Sequence, residues 1–221
     1  MTAGKAFRTP FPYRPPNMHA PTALLGFTLF TVLLSAGCQS TKEAKVSDLN
    51  EGRWLAPSML LEQQLDDEAS RLPYTRGIER IEQIRWFASI GEPAYDTLFD
   101  LLSDESEEVA SAAFAAFGAS GDRRLVDPLR EADWREETRS HDLKLERART
   151  MVRLGDWAEI PTLILGLEDE RVYVRGLALE ALREATGEML GFDPRGGETA
   201  RELGVAAWER WWLKYSGDPL R

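Results

Sequence analysis

Four pairs of a glycine followed by an acidic residue recur at nearly constant spacing in this 221-residue sequence. The glycines lie 30, 34 and 32 residues apart, and the pairs are Gly91-Glu92, Gly121-Asp122, Gly155-Asp156 and Gly187-Glu188. A period in this range is typical of solenoids built from stacked helical units. Glycine readily adopts the left-handed conformation that ends a helix, and the following carboxylate can accept backbone N–H groups of the next helix. The spacing therefore predicts helical hairpins that turn at these corners.

Apolar residues before the corners follow the i, i+3, i+4, i+7 spacing of amphipathic helices. The three stripes are Ile81, Ile84 and Ala88; Val109, Ala113, Ala116 and Phe117; and Val174, Ala178, Ala181 and Leu182. Alanine within such stripes allows helix axes to approach closely. The pattern predicts a row of similar first helices, one before each corner.

The residues after the corners suggest how each second helix begins. Asp156 and Glu159 have the spacing of a capping box, and Pro93 fits the first position of a helix. Pro128 and Pro161 follow their corner acids by five or six residues. Because proline inside a helix costs about 3 kcal/mol, we expect a short turn after the corner and a long second helix that starts at the proline.

The stretch from Val174 to Leu182, together with the Gly-Asp corner and the Ile160-Pro161-Thr162-Leu163 segment, resembles the bacterial HEAT-like repeats first named for the phycobilisome lyases. Their pattern is Val-Arg-x-x-Ala-x-x-Ala-Leu, then Gly-Asp, then an apolar-Pro-x-Leu helix. Residues 109–117 match except that Ala110 stands in place of the arginine. The resemblance covers roughly residues 74–190. It implies an architecture and says little about chemistry.

The predicted fold is all-α, an α-solenoid of about four HEAT-like helical hairpins with capping helices at both ends. Residues 38–56 are polar and are predicted to form a flexible tether. Residues 57–73 are predicted to form an N-terminal capping helix that begins at Ser58, with Leu60, Leu61 and Leu65 facing inward. The repeats then occupy residues 74–190.

Residues 191–221 are predicted to form a turn and a tryptophan-rich capping helix from about Glu198 to Tyr215. Within this helix, Val205, Trp208, Trp212 and Tyr215 share one face, with Trp211 beside them. Two interpretations remain open for these aromatic residues. They either seal the last repeat or form a docking surface for a partner or a glycan.

A charged segment at residues 133–142 accounts for the longer spacing between the second and third corners. Insertions in solenoids lie on one face, which is often a binding face.

The N-terminal region resembles a bacterial lipoprotein signal peptide. An uncharged apolar run from Thr22 to Leu34 leads to Ser35-Ala36-Gly37 and Cys38, the only cysteine of the chain. The run is shorter than the about 20 residues of a transmembrane helix and fits a signal-peptide core. We therefore predict a signal peptide at residues 1–37, with either Met1 or Met18 as the start. The alternatives are an ordinary secretory signal with a chance cysteine, or an uncleaved anchor.

Lipidation of Cys38 would place the protein in the cell envelope, attached to a membrane and facing the periplasm or exterior. The leader holds three basic and no acidic residues, which leaves 24 basic against 37 acidic residues in the mature chain. This acidic balance argues against nucleic acid as a partner, because binding to phosphates requires a basic surface.

The mature sequence offers little for catalysis. His141 is its only histidine, and an acylated Cys38 could not act as a metal ligand, so no His/Cys zinc site is expected. The runs of neighbouring carboxylates are interpreted as turns and helix N-termini. No catalytic residue, metal site or cofactor is predicted.

The sequence therefore favours a non-enzymatic scaffold that is anchored to the membrane and holds an unknown envelope protein. The predicted partner-binding residues are Arg85, Arg124, Arg149, Arg175 and Trp211. Two alternatives remain: an accessory of an enzyme, like the lyase relatives, and a glycan- or peptidoglycan-binding module that uses the C-terminal aromatic residues.

Overall fold

The computed structural model describes residues 52–217. Within this range the regular secondary structure consists of α-helices and short 3₁₀ helices, and there are no strands. The prediction of an all-α protein is confirmed. The nine α-helices of this range are α1 (Met59–Arg71), α2 (Gly77–Ile90), α3 (Tyr95–Leu102), α4 (Glu107–Ser120), α5 (Val126–Glu131), α6 (His141–Arg153), α7 (Ile160–Gly166), α8 (Val172–Thr186) and α9 (Glu198–Ser216).

Four of these helices pack against each other in series, α2 on α4, α4 on α6 and α6 on α8. We call them the first helices, because each precedes a glycine corner. The second helices, α3, α5 and α7, follow the corners. Of these, α3 packs on α4, and α7 packs on both α6 and α8. Helix α1 contacts α3, and α9 contacts α7.

The buried apolar residues form two clusters that meet along α6. The first contains the phenylalanines of α2, α3 and α4 and reaches Met151 and Leu154. The second extends from Ala148 and Val152 to Trp208 of α9. Residues of a single helix therefore contribute to both clusters, which links the two halves of the described domain.

The predicted corners are confirmed. Gly91, Gly121, Gly155 and Gly187 have φ angles of 70°, 66°, 98° and 73°, values that favour glycine. Gly155 has a second constraint, because a Cβ atom built there would lie 2.8 Å from Nη2 of Arg123.

The first three corner acids open short 3₁₀ turns rather than α-helices, and no such turn follows Glu188. Oδ1 of Asp122 accepts a hydrogen bond from Arg124 N at 3.0 Å, and Oδ1 of Asp156 accepts one from Ala158 N at 3.2 Å. The predicted capping box is wrong. The backbone N–H of Asp156 donates to Met151 O at 2.8 Å, and the Glu159 carboxylate binds Arg147 instead.

The second helices are shorter than expected. They contain eight, six and seven residues. Pro128 and Pro161 occupy the third and second positions of α5 and α7, where the missing N–H has no intrahelical partner to lose. The prediction of a turn before the proline is confirmed, whereas the prediction of a long helix starting at the proline is wrong.

Two of the predicted apolar faces are only partly correct, although Leu61 of α1 and Ile84 of α2 do pack against the first cluster. Helix α2 buries Gln83 and Phe87, while Ile81 is exposed and Ile84 is only half-buried. Gln83 can be buried because its amide accepts a hydrogen bond from Thr75 at 2.6 Å and donates one to Glu68 at 2.8 Å. In α1, Ser58 caps the helix and Leu65 is buried as predicted, but Leu60 is exposed.

Buried arginines connect the first helices to the segments that precede them. The fourth residues of α2 and α8 are Arg80 and Arg175. Arg175 donates from Nη1 to the carbonyl oxygens of Asp169 and Glu170, at 2.6 and 2.7 Å. Arg80 makes the corresponding contacts before α2, with the carbonyl oxygens of residues 72 and 75, both at 2.7 Å.

The fourth residue of α4 is Ala110, which cannot make such contacts. An arginine from the charged insert, Arg139, binds the carbonyl oxygens before α4 instead. Arg139 donates from Nη2 to the carbonyl oxygens of Leu102 and Asp104, at 3.1 and 2.6 Å, just before α4 begins. Its Nε atom donates to Trp134 O at 3.1 Å. Both Arg139 and Trp134 are buried, so part of the insert is structural.

We expect Arg139→Met to lower the free energy of unfolding by about 2 kcal/mol, because buried carbonyls lose their donors. Adding Ala110→Arg should restore part of this loss, whereas Ala110→Arg alone should destabilise a position that is already filled. Urea unfolding of the three variants measures the differences. If the double variant is no more stable than Arg139→Met, Arg139 does not replace the missing arginine.

Candidate docking groove

An open groove of about 660 Å³ crosses the first helices. Its lining residues belong to α2, α4, α6 and α8, or to Ser140, the N-cap of α6. Ala112 and Ala115 of α4 lie between Ile84 of α2 on one side and the residues of α6 and α8 on the other. The serial packing of the first helices therefore builds one continuous surface from four separate segments of the chain.

Apolar side chains line the groove on α8 and on α2, where Arg80 lies beside them. Tyr173 and Leu177 of α8 line it and are exposed, and Ile84 of α2 is half-buried. Small alanine side chains in the middle leave room for a partner backbone to approach the helices. Exposed apolar side chains grouped beside a groove are typical of interaction sites.

Three arginines line the groove, and they differ in how many of their donors are used. Arg80 donates to three backbone carbonyls, and Arg153 donates twice to Glu184, at 2.9 and 3.1 Å. Arg149 makes a single ion pair, 2.6 Å from Nη1 to Oε2 of Glu146. Its side chain is only 12% exposed, and its Nε atom has no partner among the described residues. Nε of Arg80 also has no partner among the described residues, but Arg149 makes the fewest hydrogen bonds of the three, one against three for Arg80 and two for Arg153.

Carboxylates line the groove where α4 and α6 begin. Glu107 accepts hydrogen bonds from the Ser140 hydroxyl and, at 2.7 Å, from the Ser140 backbone N–H, and these bonds lower the pKa of Glu107. Asp142 pairs with Arg171. Hydrogen bonds from the Arg171 side chain also lower the pKa of the neighbouring Asp169 to about 2. Carboxylates at these positions complement the positive ends of the helix dipoles.

The predicted basic residues do not lie together. Arg149 lines the groove, as described. Arg85 is exposed on α2 outside the groove lining. Arg124 lies at the second corner, where it pairs with Glu92 and with Asp122, the latter at 2.7 Å.

Arg175, which was predicted to bind a partner, is not accessible to one. It is buried, and its guanidinium donates four hydrogen bonds to the carbonyl oxygens of Asp169, Glu170 and Pro194. Arg175 therefore connects the segment before α8 to the loop before α9, because one guanidinium can donate to several carbonyl oxygens.

Trp211 lies in an aromatic cluster at the end of α9. Its ring stacks on Tyr215 with the ring centres 5.2 Å apart, and it contacts Trp208 at 5.8 Å and Trp157 at 6.5 Å. Its Nε1 atom donates to Glu188 at 3.2 Å. These contacts connect α9 to the third and fourth corners, and they favour the capping interpretation of the aromatic residues.

Tyr173, Leu177 and Ala115 were missed in the sequence. The first two are apolar residues of α8 that lie outside its core stripe, so a second apolar face was the available signal. Ala115 lies beside the stripe of α4 and gave no separate signal.

The predicted lipidation site, Cys38, lies outside the described residues. In residues 52–217, no helix is both long and apolar enough to span a membrane. No group of three or more His, Cys, Asp or Glu residues in this same range is arranged to hold a metal ion. No protein-family model matches the chain, and neither a curated protein nor a solved structure shows significant similarity to it.

Proposed function

We propose that this protein is a non-enzymatic, HEAT-like scaffold of a bacterial cell envelope, anchored to a membrane through Cys38, and that it holds a protein partner in the docking groove. The observation that carries the proposal is the groove itself. It is built from four helices in series, carries exposed apolar side chains on α8, and contains Arg149, which makes a single ion pair. Such a surface binds by complementarity on a rigid support.

The helix order supports the HEAT-like part of the proposal. Three first helices are each followed by a positive-φ glycine corner, a 3₁₀ turn and a short second helix. The fourth, α8, ends at Gly187, and the long helix α9 follows after a loop. Helix α9 packs on α7 through the second apolar cluster, as expected of a cap on the last repeat.

The groove fits a polypeptide segment with apolar side chains and at least one carboxylate. The apolar side chains would contact Ile84, Tyr173 and Leu177. A carboxylate could pair with the guanidinium of Arg149 beside Glu146, and charge-assisted hydrogen bonds of this kind are among the stronger polar contacts. No arrangement within residues 52–217 favours the lyase-accessory hypothesis, and the contacts of Trp211 argue against a free glycan platform.

The groove is tested by chemical crosslinking in intact cells, followed by affinity capture of this chain. Ala115→Trp fills the middle of the groove, and Ala200→Trp, at an exposed position of α9, is the matched control. We expect Ala115→Trp to reduce the crosslinked partner about tenfold, which corresponds to about 1.4 kcal/mol, while Ala200→Trp leaves it unchanged. Equal yields from both variants would contradict the proposal.

The anchor is tested separately by feeding cells labelled palmitate. The wild-type chain should incorporate the label and Cys38→Ser should not. Incorporation into Cys38→Ser, or none into either chain, would remove the lipid anchor from the proposal without affecting the groove.

A further inference from the structure

Three large apolar side chains are exposed where the chain enters the described domain. Leu55, Met59 and Leu60 are 65%, 86% and 68% exposed. They lie within six residues, and we call them the entry patch. Single exposed apolar residues are common on soluble proteins, but three at one end of one helix form a local surface.

Leu55 precedes α1, and within α1 the exposed large apolar residues are confined to the first turn. Leu65 is the buried residue of this helix, and Met59 and Leu60 lie on the side away from it. In the following turns, the exposed positions are polar or acidic, including Gln63, Asp66 and Asp67. The outward face therefore changes from apolar to charged within one turn.

No acidic residue occurs from Arg53 to Leu61, although the sequence contains 37 acidic residues. One carboxylate lies beside the patch, because Oε2 of Glu92 accepts a hydrogen bond from Leu55 N at 3.3 Å. Its charge is paired with Arg124, which limits repulsion from anionic lipid headgroups.

The proposed anchor would hold this patch close to a bilayer. Thirteen residues, 39–51, separate Cys38 from the described domain. Thirteen residues span at most about 45 Å whatever their conformation. A tether this short keeps the patch at a high effective concentration near the lipid surface.

We infer that the entry patch docks on the membrane interface and orients the domain with the start of α1 against the lipid. The inference rests on the proposed lipid anchor at Cys38. The three apolar side chains of the entry patch enter the boundary between headgroups and acyl chains, as do the apolar faces of interfacial helices. The acidic residues later in α1 remain outside the bilayer.

The test uses the full lipidated chain, whose acylated Cys38 leaves no other reactive thiol. Met59→Cys receives an environment-sensitive fluorophore, and Leu213→Cys in α9 is the matched control, since Leu213 is 71% exposed. Both proteins are placed in phosphatidylethanolamine–phosphatidylglycerol vesicles that contain nitroxide-labelled acyl chains. We expect a blue shift and a loss of fluorescence at position 59 and neither change at position 213. Adding Leu60→Glu should restore the fluorescence of the label at position 59, because the charged side chain keeps the patch out of the lipid.

Equal behaviour of the two labels would overturn the inference. A label at position 59 that is shielded from aqueous iodide but not quenched by the lipid would mean that a second copy of the chain covers the patch, which also overturns it. The mass of Cys38 is measured on the same samples. A lipidated Cys38 without quenching contradicts only the docking, whereas an unmodified Cys38 contradicts the proposed anchor and the inference together.

Discussion

Replacing Arg175 with methionine is expected to lower the free energy of unfolding by about 3 kcal/mol. The guanidinium joins the segment before α8 to Pro194 in the loop before α9, so its removal orphans the carbonyls of Asp169, Glu170 and Pro194. Each buried acceptor left without a donor costs about 1–3 kcal/mol, reduced where water can enter. Chemical denaturation with circular dichroism measures the loss.

Arg85→Met is the matched control. Arg85 is also an arginine of a first helix, but it is exposed and makes no hydrogen bond or ion pair with the described part of the chain. Its replacement should change stability by no more than about 0.5 kcal/mol. Similar losses for the two variants would show that Arg175 does not tie the loops together.

Replacing Trp208 with alanine should cost about 4 kcal/mol. The Trp208 side chain is fully buried in the second apolar cluster and packs edge-on against Trp211, with ring centres 5.8 Å apart. Its loss leaves a large cavity where α9 packs on α7 and α8 in this cluster. Hydrogen exchange should accelerate throughout α9, with a smaller effect on α2 and α4, which belong to the other cluster.

Leu213→Ala provides the comparison within the same helix, because Leu213 is exposed. This change should stay within about 0.5 kcal/mol and leave exchange in α9 unaltered. If Trp208→Ala is equally mild, α9 does not cap the domain.

The parts of the fold that depend on local sequence could be predicted. Each corner glycine has a positive φ, and Ser58 caps α1, because these features depend on a few neighbouring residues. The face of α2 could not be predicted from its own periodicity. It depends on Thr75 and Glu68, which satisfy the buried amide of Gln83.

The site was harder to predict for the same reason. Arg175 and Arg149 are both arginines of first helices, but one binds loop carbonyls and the other lines the groove. Their difference arises from the segments packed against them. Arg139 lies 29 residues after Ala110 and makes the contacts that an arginine at position 110 would make. This relation appears only when the insert is folded against α4.

The most direct test of the account places a photo-crosslinking amino acid at single positions in living cells. Leu177 lies in the groove on α8, and Leu165 is an exposed leucine of a second helix, α7, outside the groove lining. We predict that a discrete crosslinked partner forms from position 177, is lost when Ala115→Trp fills the groove, and does not form from position 165. A partner captured equally from both positions, or one that persists in the filled groove, would contradict the claim that this protein holds its partner on the first helices.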